Sequence, residues 1–228
     1  MVVFRFNLHV TAKESSTPLA NILILTVMHS DKKMTELITI YNWTSVGLFV
    51  GIIIIAHFFT ISPYDWRTNT ISELASQQYQ YRWIMKIGFI LFGGILAIGI
   101  TNKLMNGNGK LLTELPVLVY GLAIFISGLY STKPIVDGIE YSEIESIIHS
   151  YSAQIAGMAF SIGLLIYGLT ETHVNLKIIH FVIFTFVVGF SALFGIMDSN
   201  VGIIQRVMYL GSFVWLTLFY NQINEASG

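Results

Sequence analysis

The chain has 228 residues, 54% of them hydrophobic and 11% charged, with a formal net charge of -1 and no cysteine. Soluble domains carry about 25% charged residues, so this deficit, with a mean hydropathy of +0.68, places the chain in the membrane class. The charge balance offers no basic surface for nucleic acid, and the missing cysteines exclude a disulfide framework, a thiolate metal site and a cysteine nucleophile.

The first element, Met1–Lys33, holds one apolar run, LANILILTVM. It is too short to cross a bilayer, which takes about 20 residues. It starts late, Lys32–Lys33 follow it, and no small-residue cleavage site comes after it, which argues against a secretory signal. Met34 opens MTELITIYNW, a natural start for a chain whose first span begins at Trp43. Residues 1–33 are therefore read as a doubtful or weakly ordered extension, and 34–228 as one membrane domain.

Six apolar stretches then follow: Trp43–Ile61, Trp83–Thr101, Leu112–Tyr130, His149–Leu169, Leu176–Phe194 and Ile203–Tyr220. The fold predicted is all-α, a polytopic six-helix transmembrane bundle. Glu114 and Pro116 fall at the start of the third span, where a proline is tolerated because the first-turn amides lack partners anyway. Glycines inside the spans, such as Gly88, Gly93, Gly94 and Gly121, suit close helix approach in a membrane. Six spans put both termini on one side. That side holds seven of the basic residues (Arg5, Lys13, Lys32, Lys33, Lys103, Lys110 and Lys177) against five opposite (Arg67, Arg82, Lys86, Lys133 and Arg206). Positive-inside bias then makes both termini cytoplasmic in the cell membrane. The bias rests on the N-terminal segment.

The two short loops on the terminal side, Asn102–Leu111 and Thr170–Asn175, are nondescript; NGNGK reads as a turn. The three loops opposite are richer. Ser62–Arg82 is SPYDWRTNTISELASQQYQYR, Ser131–Ile148 is STKPIVDGIEYSEIESII, and Gly195–Gly202 is GIMDSNVG. Asp65, Glu73, Asp137, Glu140, Glu143, Glu145 and Asp198 lie on this face. Two motifs have a structural reading. TISE (Thr70–Glu73) and SEIE (Ser142–Glu145) match the capping box, in which a Ser or Thr hydroxyl takes the N3 amide and the Glu returns to the cap amide. Asp198–Asn200, DSN, reads as an N-cap for the sixth helix. In the first loop, ISELASQQYQYRW puts Ile71, Leu74, Ala75 and Gln78 on one face, so a short interfacial helix is expected there.

Capping does not account for every polar residue. His149 lies four residues after Glu145, so both occupy one helical face. With Asp137 they form the candidate catalytic set: a base held by a carboxylate. His149 with Asp65, Asp137 and Asp198 is the candidate set for a divalent metal, although no second histidine stands at metal-ligand spacing. Arg206, Gln205, Glu73 and Ser72 are the candidate substrate-binding residues. A guanidinium near a span end either snorkels, pairs with an acid (Asp198, Asp137 or Glu73), or takes an anionic headgroup. His57 and His180 are single histidines on separate spans, expected at opposite depths.

The segments ISELASQ…WIMKIGFILFGG, the Asp- and Pro-containing loop running into IHSYSAQIAGMAF, and GIIQRVMYLGSFVW together resemble the bacterial domain-of-unknown-function 998 membrane proteins, over about Ile40 to Tyr220. The resemblance implies a six-helix integral membrane protein and matches Asp65, Ser72, Glu73, Asp137, His149, Gln205 and Arg206. It implies no activity. Three functions are carried forward: a polar outer pocket that binds or hydrolyses a lipid-like substrate, with or without a metal; a non-catalytic lipid-binding or scaffolding protein; and a small transporter. Membrane lipids are the expected partners in each.

Overall fold

The computed structural model describes residues 18–197 and 199–220, and side chains at position 33 and from position 35 onward. The six helices are α1 (Pro18–His57), α2 (Arg82–Met105), α3 (Leu111–Leu129), α4 (Glu143–Thr170), α5 (Val174–Ile196) and α6 (Val201–Val214), the last continued by a π-helical turn over Trp215–Phe219. All six are long and apolar enough to cross a membrane, counting α1 from Thr35 and α6 through Phe219. This is a multi-pass membrane protein, and no strand occurs among the described residues.

The helix limits differ from the hydropathy windows in two informative places. α1 stops at His57, before the apolar pair Phe58–Phe59, which hydropathy alone includes in the span. α4 begins at Glu143, six residues before His149, because Ser142 caps it: the Glu145 amide donates to the Ser142 hydroxyl at 3.3 Å. Pro116 falls in the second turn of α3 rather than the first.

Each helix packs on the next, α6 also reaches α1 and α2, and its π-turn reaches α4. A ladder of rings fills the centre. Phe49 stacks on Phe92 at 4.9 Å, Phe92 meets Tyr120 at 6.0 Å, Tyr120 meets Phe160 at 4.9 Å, and Phe160 meets Trp215 at 5.4 Å. Such offset and edge contacts suit aromatic quadrupoles. α2 and α3 touch backbone to backbone: a Cβ on Gly93 would lie 2.4 Å from the Gly121 carbonyl and the Phe125 amide. Only glycine permits that approach. α5 is peripheral, with only His180 and Val187 buried along it.

Where a short interfacial helix is expected in the first loop, the structure has only four residues of 3₁₀ helix. The loop forms one 3₁₀ turn, Ser72–Ala75, and then Ser76 goes extended and Gln78 takes a left-handed φ of 62°. The reason lies in the hydrogen bonds. The loop's backbone is paired outward, with the Gln77 amide on the Thr132 carbonyl at 2.9 Å and the Ile71 amide on Gln205 Oε1 at 2.7 Å. The Gln77 donor is therefore not free for a helical ladder, while the Ile71 amide is one that a helix start leaves open in any case. Leu74, Ala75 and Tyr79 are buried, so the loop covers the bundle as expected, with a 3₁₀ turn in place of an α-helix.

Candidate functional site

The loops after α1, α3 and α5 gather at one end of the bundle. Here α6 holds the first loop by its opening turn. Arg206 Nη1 donates to the carbonyls of Trp66 (2.8 Å), Asn69 (3.0 Å) and Gly202 (2.8 Å). Its Nη2 donates to Tyr64 Oη at 2.6 Å and approaches His57 Nε2 at 3.2 Å. His57 Nδ1 lies 2.6 Å from the Ile53 carbonyl, so its proton is on Nδ1 and Nε2 accepts. Burial raises the Tyr64 phenol above its ordinary value, against the opposing pull of Arg206. It therefore stays protonated and donates to the Thr70 carbonyl. The loop reciprocates: the Ile203 amide at the start of α6 donates to the Arg67 carbonyl at 3.2 Å. Gly202 makes this closeness feasible, since a Cβ there would sit 2.3 Å from the Asn69 carbonyl and 2.5 Å from that of Trp66. Among the described residues, no carboxylate lies at ion-pair distance from Arg206.

Glu73 closes a full capping box. Its Oε2 accepts from the Thr70 amide and hydroxyl, and its own amide donates to Thr70 Oγ1 at 3.2 Å. Asp65 Oδ1 accepts from the Arg67 amide at 2.9 Å within an exposed turn. Ser72 is half-buried in the 3₁₀ turn, and Asp137 is exposed beside Gly138, whose φ is 82°. Asp198 lies outside the described residues. Asn200 occupies the N-cap of α6 in the left-handed region, with no side-chain cap bond.

Glu145 and His149 share a helical face, and that face is turned to the end of α3. The last carbonyls of a helix lack intrahelical donors. His149 Nδ1 supplies one, lying 2.8 Å from the Ser127 carbonyl and 3.0 Å from that of Tyr130. Lys86 Nζ donates to the Leu129 carbonyl at 2.9 Å, and Glu145 Oε1 accepts from the Ser131 amide at 2.8 Å. The acid and the imidazole therefore cap one helix end together instead of bonding each other. The SEIE box is half formed: Glu145 is engaged at Ser131, and the Ser142 amide goes to Gln77 Oε1 at 2.8 Å. Gln77 also donates to the Ser142 and Ser131 carbonyls, stitching the first loop to the second. Two groups here are buried without a partner: His149 Nε2 and Ser131 Oγ.

Among the described residues, no three His, Asp or Glu side chains come together in a way that holds a metal ion.

The family described as "Protein of unknown function (DUF998)" matches residues 44–220. The chain belongs to the DUF998 family. Neither the curated proteins nor the solved structures give a match. The DUF998 match covers all of the polar loop-rich end and every helix, with α1 matched from Thr44 onward.

The opposite end of this DUF998 bundle holds a second polar centre that sequence reasoning missed. Lys103 Nζ and Glu114 Oε1 pair at 2.7 Å, both side chains almost wholly buried. Tyr167 donates to Glu114 Oε1 at 2.8 Å, Tyr220 donates to Glu114 Oε2, and Lys103 sits 4.3 Å over the Tyr220 ring. The π-turn serves this site. Its i→i+5 bond, Tyr220 amide to Trp215 carbonyl, sets Tyr220 on Glu114 while Trp215 faces His180. The sequence signal was there, a Lys in the last turn of one helix and a Glu in the first turn of the next, but the loop between them reads as a plain turn.

Proposed function

We propose that this is a non-catalytic membrane protein, a six-helix scaffold that binds bilayer lipids around its helices and keeps a rigid polar surface at its loop-rich end. One observation carries the reading: Arg206, Glu73, Asp65, Glu145 and His149 are each hydrogen-bonded to backbone groups. Side chains that satisfy carbonyls and amides of the fold are brace residues, and a catalytic pocket needs groups aimed at space. A cytoplasmic placement of both termini rests on the basic residues of the N-terminal segment (Arg5, Lys13, Lys32 and Lys33), which tip the count to seven against five.

A second reading, lipid hydrolysis or transfer with His149 as base, is favoured by one atom. His149 Nε2 is a bare acceptor in a ring whose Nδ1 is fixed on two carbonyls. Against it stands the burial of that ring, which is 3% exposed. The two readings part on one experiment. Protein in nanodiscs of mixed phospholipids, with and without divalent metal, is incubated and its lipids are followed by mass spectrometry. The scaffold reading expects no headgroup change by wild type or His149→Ala, and lipid retained through detergent washing. Turnover by wild type that His149→Ala abolishes would overturn it.

A further inference from the structure

α5 is the least covered of the six spans, and one stripe of it is shaped as well as bare. Lys177, Ile178, Phe181, Val182, Thr185 and Phe186 follow one another at helical spacing and line an open groove of about 660 Å³. Its aromatic walls rest on neighbouring helices. A Cβ at Gly168 of α4 would lie 3.2 Å from the Phe181 ring, and one at Gly211 of α6 would lie 2.9 Å from the ring of Phe186. Glycine at both places lets the two rings settle against the bundle, so the groove is preformed. The Thr185 hydroxyl turns back to donate to the Phe181 carbonyl at 2.9 Å, which leaves the length of the groove apolar.

One charge stands at its end. Lys177 is half-buried in the first turn of α5. Among the described residues, no carboxylate lies at ion-pair distance from it. The acid nearest in sequence, Glu171, is buried and accepts from the amides of Thr172 and His173. A lysine at a span end lays its stem along apolar surface and presents its ammonium at the interface. From Lys177 to Phe186 is about 13.5 Å along the helix axis, close to the hydrocarbon depth of one leaflet, about 15 Å. The groove therefore runs from the interface toward the bilayer centre, with a cation at the depth of the phosphates. A second copy of the chain suits it less. Helices approach closely in membranes through small residues, and this stripe is branched and aromatic.

We propose that the groove on α5 holds one anionic phospholipid, with an acyl chain along Ile178, Phe181, Val182 and Phe186 and the phosphate on Lys177. The site rests on the lipid-binding reading above and adds to it a place and a headgroup charge. The test uses full-length protein in nanodiscs of equal parts phosphatidylglycerol and phosphatidylcholine. After extraction and detergent washing, native mass spectrometry reads the lipids retained and the number of chains. Wild type should retain phosphatidylglycerol over phosphatidylcholine about fivefold, the worth of one cation near anionic lipid. Lys177→Gln should bring the two to parity, and Lys177→Arg should keep the preference. Val182→Trp fills the groove with the charge intact and should lower phosphatidylglycerol retention. Equal retention by wild type, or a preference unchanged in Lys177→Gln, would overturn the site and leave the lipid-binding scaffold standing. Loss of both lipids on washing would overturn both. A dimer that Val182→Trp breaks would assign the groove to a second copy and overturn the site. The wild-type ratio is decisive alone, so a variant that fails to fold does not shelter the proposal.

Discussion

Replacing Arg206 with alanine removes five contacts at once: three carbonyls, the Tyr64 phenol and the His57 ring. A hydrogen bond contributes about 1 kcal/mol net, and more when one partner is charged. The Gly202 carbonyl keeps its helical partner, and the guanidinium is half-exposed, so the five do not count in full. We expect a loss of about 3 kcal/mol. Arg206→Lys is a sharper perturbation, because it retains the charge and discards the planar fork. It should recover about 1 kcal/mol of that loss, the worth of one bond. Unfolding by denaturing detergent in mixed micelles measures the totals, and hydrogen exchange locates them. Amide protection should fall across 64–71 and at Ile203, while the Ser131 amide, held by Glu145 at the other loop, should stay protected. A cost below about 1 kcal/mol, or full rescue by lysine, would refute the clamp, since charge alone would then account for Arg206.

Removing one partner of the buried Lys103–Glu114 pair should be severe. Glu114→Leu leaves an unpaired ammonium and two tyrosine hydroxyls, at a cost of about 3–5 kcal/mol by detergent unfolding, and Lys103→Met in the same chain should recover part of it. Gly93→Ala should drive α2 and α3 apart, because its methyl would meet backbone at 2.4 Å; reduced thermal stability with a lengthened distance between spin labels on the two helices would show it. Raising the pH should loosen the first loop. The Tyr64 phenol is raised by burial, so its contribution is complete below the ordinary phenol value near 10 and is lost as pH climbs toward its higher folded value; phenolate absorbance and exchange in 64–71 should change together, and only above that pH.

The spans were legible because hydropathy over about 20 residues is a strong signal, and TISE was legible because a capping box is local. What failed were readings that depend on tertiary partners. The 71–81 segment has a helical pattern, yet Thr132 claims the Gln77 amide from another element, and no local pattern reports that. His149 and Glu145 were rightly placed on one face, but a spacing of four says nothing about what that face meets. It meets the end of α3, whose open carbonyls are as good a reason for a histidine as any substrate. Lys103, Glu114 and Tyr167 come from three helices and Tyr220 from the end of the π-turn, so their convergence exists only in the folded bundle.

The proton on the His149 ring tests most directly whether the loop-rich end braces the fold. Selective ¹⁵N-histidine spectra of the protein in nanodiscs should show a neutral ring with its proton on Nδ1 and a bare Nε2, unchanged when zinc is added. A proton on Nε2, or a zinc-dependent shift at that nitrogen, would contradict the account and return His149 to chemistry.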